Sequence, residues 1–233
     1  MNFPDPLLRG RLIRRYKRFL ADVDLDGHGV VTAHVPNTGS MMGLDIPGSP
    51  VLVSVHEGKQ RKLPYTLELV ESHGGWVGVN TSLPNRIVEE AIVAGRIPSL
   101  RRFARLRREV RYGERSRIDL LLENGGEKCF IEVKNVTLRA QGSRLALFPD
   151  AVTERGRRHL LDLADEVRSG NRAVMFFLVN RPDCTRMAPA EAIDPAYAEA
   201  LRRAVREGVE VLAYRTRTSP EGITVARKVP VLI

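Results

Sequence analysis

The chain has 233 residues, of which 43% are hydrophobic and 28% are charged, with 37 lysines and arginines against 28 aspartates and glutamates. These values are typical of a folded protein with one large or two modest cores, and they exclude a disordered or low-complexity chain. The formal net charge of +9 favours an anionic partner, and nucleic acid is the first hypothesis. A basic protein without such a partner is the alternative.

The two cysteines, Cys129 and Cys184, are far apart in sequence and belong to no CxxC pair or cysteine–histidine cluster. We therefore expect no zinc site. The first residues lack the apolar segment of a signal peptide, and no apolar run has the length of a transmembrane helix. The sequence predicts a cytoplasmic protein with no membrane partner, and it leaves the oligomeric state open.

Residues 1–82 are predicted to form a small β-barrel, because short strand-like segments alternate with turns that contain Gly and Pro. The segment 10–23 is expected to be one continuous strand. Its basic residues are interleaved with Tyr16 and Phe19, which favours a nucleic-acid groove in which phosphates meet charge and bases stack on rings. The charged outer face of a strand explains the same pattern equally well. The candidate nucleic-acid contacts here are Arg11, Arg14, Lys17 and Arg18.

A polar turn at residues 36–40 could offer backbone N–H groups to a phosphate. Because a plain turn explains the same residues, Asn37 and Thr38 are minor candidates. A second domain, residues 83–233, is predicted to begin with a helix that starts at Pro84-Asn85, has an apolar stripe and is ended by Gly95 and Pro98.

Residues 101–117 are the most basic part of the chain, with eight arginines against two glutamates and a local charge of +6. Arginines that neutralise phosphates make nucleic-acid binding salt-dependent. A solvated charged face is the alternative explanation. The candidate contacts in this stretch are Arg101, Arg102, Arg108 and Arg117.

A hairpin is predicted over residues 116–138, with Gly125-Gly126 in its turn. If those glycines form a two-residue turn, Asp119 faces Glu132; a turn at Asn124-Gly125 would instead place Asp119 opposite Phe130. In either register Asp119, Glu132 and Lys134 project from one face. Opposed like charges destabilise a sheet, so the acidic pair favours a divalent cation, Mg²⁺ or Mn²⁺, held by both carboxylates.

An Asp followed about a dozen residues later by Glu-x-Lys across a hairpin is the layout of a metal-dependent phosphodiesterase site. Asp119 and Glu132 would hold the ion, which polarises the phosphate and lowers the pKa of a bound water. Lys134 would stabilise charge on the phosphate or orient that water. For each residue taken singly, a charged side chain on the solvated face of a strand is the alternative.

The rest of the chain predicts an α/β core. A helix over residues 153–168, with Thr153 as its N-cap, places Arg155 near its start as a phosphate-binding candidate. His159, on the same face, is a candidate phosphate contact or proton carrier, with a structural histidine as the alternative. The apolar run 173–179 predicts a strand buried on both faces, and a helix from 195 and strands near 209–214 and 223–229 follow it.

Four segments resemble the sugar fermentation stimulation proteins of bacteria and archaea. They are NTGSM at residues 37–41, RYGERSRID at 111–119, IEVKNVTL at 131–138 and FPDAVTERGRRHL at 148–160. The resemblance covers residues 3–233, and it implies an OB-like barrel followed by an α/β domain of the PD-(D/E)xK nuclease superfamily. One departure is Ile118, which stands where the superfamily signature nominally has Pro.

The same resemblance implies a partner and a further ligand. The family is described as binding DNA without sequence preference, and its name comes from an effect on maltose metabolism. A non-catalytic DNA-binding regulatory protein is therefore the alternative to a nuclease. Nucleases of the superfamily often add a helical acidic residue near the metal, and Glu90 is our choice over Glu89 for that position.

Overall fold

A computed structural model describes residues 1–56, 62–112 and 116–233 of the chain. Glu114 and Arg115 of the basic stretch lie outside the described residues. Over the described ranges the chain forms a β-barrel and then an α/β domain. None of the described helices is long and apolar enough to cross a membrane.

The barrel is built from the first five of six strands. Their sheet order is β3-β2-β1-β4-β5-β6, and an additional parallel pairing of β3 with β5 closes the barrel. The closed order, 1-2-3-5-4-1, is that of an OB fold, which confirms the predicted barrel. The six strands are β1 (Leu8–Tyr16), β2 (Leu20–Leu25), β3 (Gly29–His34), β4 (Pro50–Val55), β5 (Tyr65–Ser72) and β6 (Gly75–Gly78).

The prediction of one continuous strand over residues 10–23 is wrong. The chain reverses at Lys17 and Arg18, which have φ angles of 49° and 65°, so that β1 and β2 form an antiparallel hairpin with Tyr16 opposite Leu20. Left-handed backbone is usually marked by Gly or Asn, and neither is present at this turn. The correction places Lys17 and Arg18 together at an exposed tip of the barrel.

The second domain alternates helices and strands. Thr153 caps α2, as predicted, by accepting a hydrogen bond from the backbone N–H of Gly156. The elements are α1 (Pro84–Val93), a short 3-10 turn (Pro98–Leu100), β7 (Arg105–Tyr112), β8 (Ser116–Asn124), β9 (Glu127–Val136), β10 (Leu138–Arg139), β11 (Leu145–Phe148), α2 (Glu154–Arg168), β12 (Arg172–Val179), β13 (Arg186–Pro189), α3 (Pro195–Arg206), β14 (Glu210–Ser219) and β15 (Gly222–Lys228).

The main sheet of this domain has the order β15-β14-β12-β9-β8-β7, with β12 parallel to both β9 and β14. As predicted, β12 is buried along almost its whole length. Apolar residues of α1 pack on one face of the sheet, and those of α2 and α3 pack on the other. Strands β10, β11 and β13 form a second, three-stranded sheet.

The barrel and the second domain meet through buried backbone. The N–H of Gly78, at the end of β6, donates to the carbonyl oxygen of Asn180 just beyond β12, at 2.9 Å. Asn180 is fully buried, and its side-chain Nδ2 donates back to the carbonyl oxygen of Gly78 at 3.2 Å. This close approach leaves no room for a side chain at position 78.

We expect Gly78→Ala to destabilise the protein, because its methyl group would overlap the side-chain amide of Asn180. Overpacking at a buried position that cannot relax costs about 1–3 kcal/mol. Denaturant unfolding measures the change, with His28→Ala in the exposed β2–β3 turn as the control. Equal unfolding midpoints for the two variants would contradict the tight junction.

Candidate active site at the barrel–sheet junction

The predicted hairpin is formed by β8 and β9, and it brings the three signature residues together. Asn124 pairs with Glu127, and the register continues to Leu120 opposite Ile131, so Gly125-Gly126 is the turn. Both glycines have positive φ angles, 54° and 93°, which suit a two-residue hairpin turn. Of the two registers the sequence left open, the structure therefore has the one that sets Asp119 across from Glu132.

Asp119 is held by hydrogen bonds to both of its carboxylate oxygens. The side-chain Nδ2 of Asn85, in the first turn of α1, donates to Oδ1 at 2.8 Å, and the backbone N–H of Val133 donates to Oδ2 at 2.8 Å. Burial, and next the charge of Glu132, raise the pKa of Asp119 from its ordinary 3.8 to about 6 despite these bonds. The carboxylate is thus fixed in position but poorly compensated in charge.

Glu132 is more deeply buried, at 3% exposure, and it is better compensated. Its Oε1 accepts from Lys134 Nζ at 2.7 Å and from His159 Nδ1. Burial alone would raise the pKa of Glu132, but the hydrogen bond from His159 and the charge of Lys134 together hold the pKa below its ordinary value. Glu132 therefore stays ionised beside Asp119.

His159 has a fixed tautomer in this network. Arg155 Nε, which can only donate, lies 3.3 Å from His159 Nε2, so that nitrogen accepts and the ring proton is on Nδ1, where it donates to Glu132. The histidine is buried, at 5% exposure. The structure thus places both α2 candidates, Arg155 and His159, at the carboxylate pair.

One oxygen of the pair has no hydrogen-bond donor. Glu132 Oε2 is buried, and no group among the described residues donates to it. Buried carboxylate oxygens without a partner are rare, because each loses its hydration without replacement. The described residues include no group of three or more His, Cys, Asp or Glu side chains arranged to hold a metal ion.

The signature residues line a cavity of about 390 Å³ with walls from both domains. The first turns of α1 and α2 approach it, with Asn85 in one and Arg155 in the other. Thr38 and Asn37, on the loop after β3, form part of the wall on the barrel side. The side chain of Asn37 is committed within the barrel, since its Nδ2 donates to Val79 and its Oδ1 accepts from Gly39.

Two residues that the sequence did not single out hold this barrel loop in place. Arg15 donates to the backbone carbonyls of Asn37, Gly39 and Ser40, at 2.9 to 3.0 Å. From the other domain, Asp150 accepts from the Ser40 hydroxyl at 3.1 Å. Arg15 lies in the basic segment 10–23 and Asp150 in the motif at 148–160, but neither pattern indicated a role in holding this loop.

Glu90 does not lie with Asp119 and Glu132, although the sequence analysis chose it as a further ligand of the metal. It is paired with the amino group of Met1 at 2.8 Å and with Arg86 at 3.0 Å. Asn85 takes the position on α1 that faces Asp119, and Glu89, one helical turn further on, pairs with Arg108 at 3.1 Å. Helix phase is set here by the apolar side of α1, which packs on the sheet.

The predicted nucleic-acid contacts are dispersed, and Arg155 is the one that lines the cavity. Several arginines are neutralised: Arg14 pairs with Asp22, Arg102 with Glu127, Arg108 with Glu89, and Arg117 approaches Glu109 at 3.9 Å. Arg11 and Arg101 donate to backbone carbonyls. Within the described chain, Lys17 and Arg18 are exposed and have no carboxylate partner. All nine remain predictions.

Comparison with known proteins identifies both halves of the chain. The model of the "SfsA N-terminal OB domain" matches residues 13–79, and that of the "Sugar fermentation stimulation protein RE domain" matches residues 82–222. A sugar fermentation stimulation protein homologue from Geobacter sulfurreducens is 55% identical over 232 residues, covering 100% of this chain and 99% of its own. A homologue from Rhodospirillum centenum is 56% identical over 228 residues, 97% of each chain.

A solved structure, that of Pyrococcus furiosus SfsA in complex with Ca²⁺, superimposes with a TM-score of 0.90 at 31% identity. The match covers 100% of this chain and 98% of that one. The protein thus belongs to the class that joins an OB barrel to a restriction-endonuclease-like α/β domain. Within that class, it is a member of the sugar fermentation stimulation protein family.

The raised pKa of Asp119 predicts a pH-dependent stability. The folded protein holds this proton more tightly than the unfolded chain, so ionising Asp119 costs up to about 3 kcal/mol once the pH exceeds about 6. That cost is nearly absent at about pH 3, where the group is mostly protonated in both states. We expect the stability of Asp119→Asn relative to wild type to improve between about pH 3 and pH 8 by about this amount.

Denaturant unfolding in the presence of chelator measures this difference at the two pH values. The amide introduced at position 119 cannot accept from both Asn85 and Val133, but that loss is the same at either pH and cancels. If the difference in the free energy of unfolding between Asp119→Asn and wild type does not change with pH, Asp119 ionises in the folded protein without an energetic cost.

Proposed function

We propose that this protein is a divalent-cation-dependent phosphodiesterase that acts on nucleic acid without sequence preference. The observation that carries the proposal is Glu132 Oε2, a buried carboxylate oxygen to which no described residue donates, beside the poorly compensated Asp119. Two adjacent carboxylates with unmet acceptor capacity suit a hard cation, which takes oxygen ligands. The donor set therefore fits Mg²⁺ or Mn²⁺.

A bound cation would be held by Asp119 and Glu132, with water completing the coordination. Its contribution would be to polarise the phosphate and to lower the pKa of an adjacent water. The Pyrococcus furiosus relative was solved in complex with Ca²⁺, and its fold matches this chain throughout, which supports a divalent cation here as well. Glu90, committed to Met1 and Arg86, is not part of the proposed ligand set.

The chain's own residues would supply the positive charge that a phosphodiester requires. Lys134 Nζ, held by Glu132, lies in the cavity where it can stabilise charge on the phosphate. Arg155, in the first turn of α2, lines the same cavity and can bind an adjoining phosphate. His159 acts as a positioning residue, because its proton fixes Glu132.

The barrel would extend the binding surface beyond the cavity. Lys17 and Arg18 stand at the exposed β1–β2 tip, and Phe19 beside them is 48% exposed. Cationic side chains next to an exposed ring suit a single strand, in which phosphates and unstacked bases are both available.

The second candidate function is a non-catalytic DNA-binding regulatory protein linked to sugar metabolism, as the family name suggests. One observation favours it: the described residues include no group of three or more His, Cys, Asp or Glu side chains arranged to hold a metal ion, although His159 contacts Glu132. Such a protein would bind DNA without cleaving it.

Cleavage tests the proposed function directly. We expect the wild type to cleave labelled single-stranded, duplex or branched DNA with Mg²⁺ or Mn²⁺ and to be inactive in chelator. Glu132→Gln should abolish cleavage, since it removes a ligand charge. Lys134→Met should lower the rate about 100- to 1000-fold, as expected when one charge-stabilising donor is removed.

Glu123→Gln is the matched control, because Glu123 lies on the same hairpin and pairs with Arg107 at the surface. It should cleave like the wild type. Binding of all three DNAs without cleavage would overturn the phosphodiesterase and favour the regulatory protein. Cleavage that survives in Glu132→Gln would move the active site elsewhere.

The proposed binding tip predicts a change in salt dependence. We expect the double variant Lys17→Ala/Arg18→Ala to bind single-stranded DNA more weakly and to lower the slope of log K against log salt by about 1.4, two contacts at about 0.7 each. Fluorescence anisotropy over a salt series measures the slope. Arg202→Ala/Arg203→Ala, on α3, makes the same change in net charge and should leave the slope unchanged.

A further inference from the structure

A second cavity, of about 650 Å³, has no role in the proposed chemistry. It lies between strands β3 to β5 of the barrel and the start of α1. Four of its polar lining side chains are buried: Ser54, Thr66, Glu68 and Asn80. The exposed charged residues of the lining are Asp5, Lys62 and Arg86. A cavity with apolar walls and a few fixed polar groups is the usual form of a site for a small organic ligand.

A buried carboxylate forms the floor of this cavity. Glu68 is 4% exposed, and it accepts from Ser54 Oγ at 2.8 Å and from Asn80 Nδ2 at 2.8 Å. Asn80 is itself oriented, since its Oδ1 accepts from the N–H and the hydroxyl of Ser82. Each oxygen of Glu68 has one known donor and retains capacity for another. The floor is therefore a rigid acceptor for N–H donors.

His56 is part of the same network. The Ser54 hydroxyl donates its one hydrogen to Glu68, so His56 Nε2, 3.1 Å from Ser54 Oγ, must be the donor in that contact. This leaves the flat imidazole ring at the edge of the cavity.

The walls and the rim differ in chemistry. Phe3, Pro36 and Leu83 supply apolar surface to the walls, and Lys62 and Arg86 supply positive charge to the lining. A ligand with a flat apolar body, N–H donors at one end and an anionic group at the other matches all three features.

The second cavity shares a wall with the candidate active site. Pro36 lines one cavity and Asn37 the other, and along residues 80–86 Thr81 and Asn85 face the active site while Ser82 and Arg86 face the second cavity. The two wall segments are joined, because the Thr81 N–H donates to the Pro36 carbonyl at 3.0 Å. A chain molecule can thus occupy both cavities around a thin partition.

We propose that the second cavity takes one unstacked nucleobase of the nucleic-acid substrate, next to the phosphate in the active site. The inference rests on the proposed function, because it assumes a nucleic-acid chain there. The base would lie against Phe3 and Pro36 and donate N–H groups to Glu68. Guanine fits best, since its N1–H and N2–H donors lie side by side, whereas thymine presents one N–H between two carbonyl oxygens.

Calorimetry with mononucleotides in chelator tests the cavity without any need for cleavage. We expect dGMP to bind about tenfold more tightly than dTMP, and deoxyribose 5-phosphate, which lacks a base, to bind more weakly than both. Deoxyribose 5-phosphate binding as tightly as dGMP would overturn the proposal, and so would a failure of all four deoxynucleotides to bind at millimolar concentration.

Two variants assign the binding to this cavity. Glu68→Gln should bring the ratio of dGMP to dTMP affinity close to one, because a Gln amide can donate to the thymine carbonyls. Glu71→Gln, on the same strand, is the control and should keep the wild-type ratio. Arg86→Ala, at an exposed side chain, should weaken dGMP binding but leave deoxyguanosine binding unchanged. A Glu68→Gln protein that folds and keeps the wild-type ratio would refute the assignment.

The test of the base site and the test of the proposed phosphodiesterase can fail independently of each other. Asp119→Asn should lose cleavage and still bind dGMP, since Asp119 does not line the second cavity. A protein that cleaves DNA but binds no mononucleotide would refute the base site alone. A protein that binds dGMP with the expected preference but never cleaves would refute the phosphodiesterase alone.

Discussion

Two neighbouring carboxylates, the half-buried Asp119 and the buried Glu132, are the constraint around which the second domain is arranged. Removing such groups from water is expensive unless donors and opposite charge replace the lost hydration. Lys134, His159 and the Val133 amide supply part of that replacement, each from β9 or α2. Two acceptors stay poorly compensated: Glu132 Oε2, which has no donor among the described residues, and Asp119, whose pKa is raised. These two features are the basis of the proposed cation site.

The features that could be predicted from the sequence are those fixed over short range. The β8–β9 hairpin follows from Gly125-Gly126 and two-residue alternation, and the start of α2 follows from Thr153. The β1–β2 reversal was missed because Lys17 and Arg18 adopt a left-handed backbone conformation, and no glycine in the sequence indicates a turn there. The turn is specified by the pairing of the strands around it and by Arg15, which donates to the carbonyl of Arg18.

The residues that contact the two carboxylates of the candidate site could not be predicted, because they depend on helix phase and on distant contacts. Whether Asn85 or Glu90 meets Asp119 is decided by how α1 packs on the sheet. The net charge of a surface likewise depends on which residues the fold brings together. Much of the excess positive charge of the basic stretch from 101 to 117 is neutralised, because Glu89, Glu123 and Glu127 form ion pairs with its arginines. A local count of charges therefore overstates the field of that surface.

The loop that carries Thr38 belongs to the barrel, yet it is tied to Asp150 in the other domain and forms part of the wall of the candidate site. Neither domain therefore contains a complete cavity. Exchanging the barrel for an unrelated one would set a foreign loop against Asp150 and remove the Ser40 contact. The two domains therefore have to be transferred together in any chimera that is to keep the cavity wall.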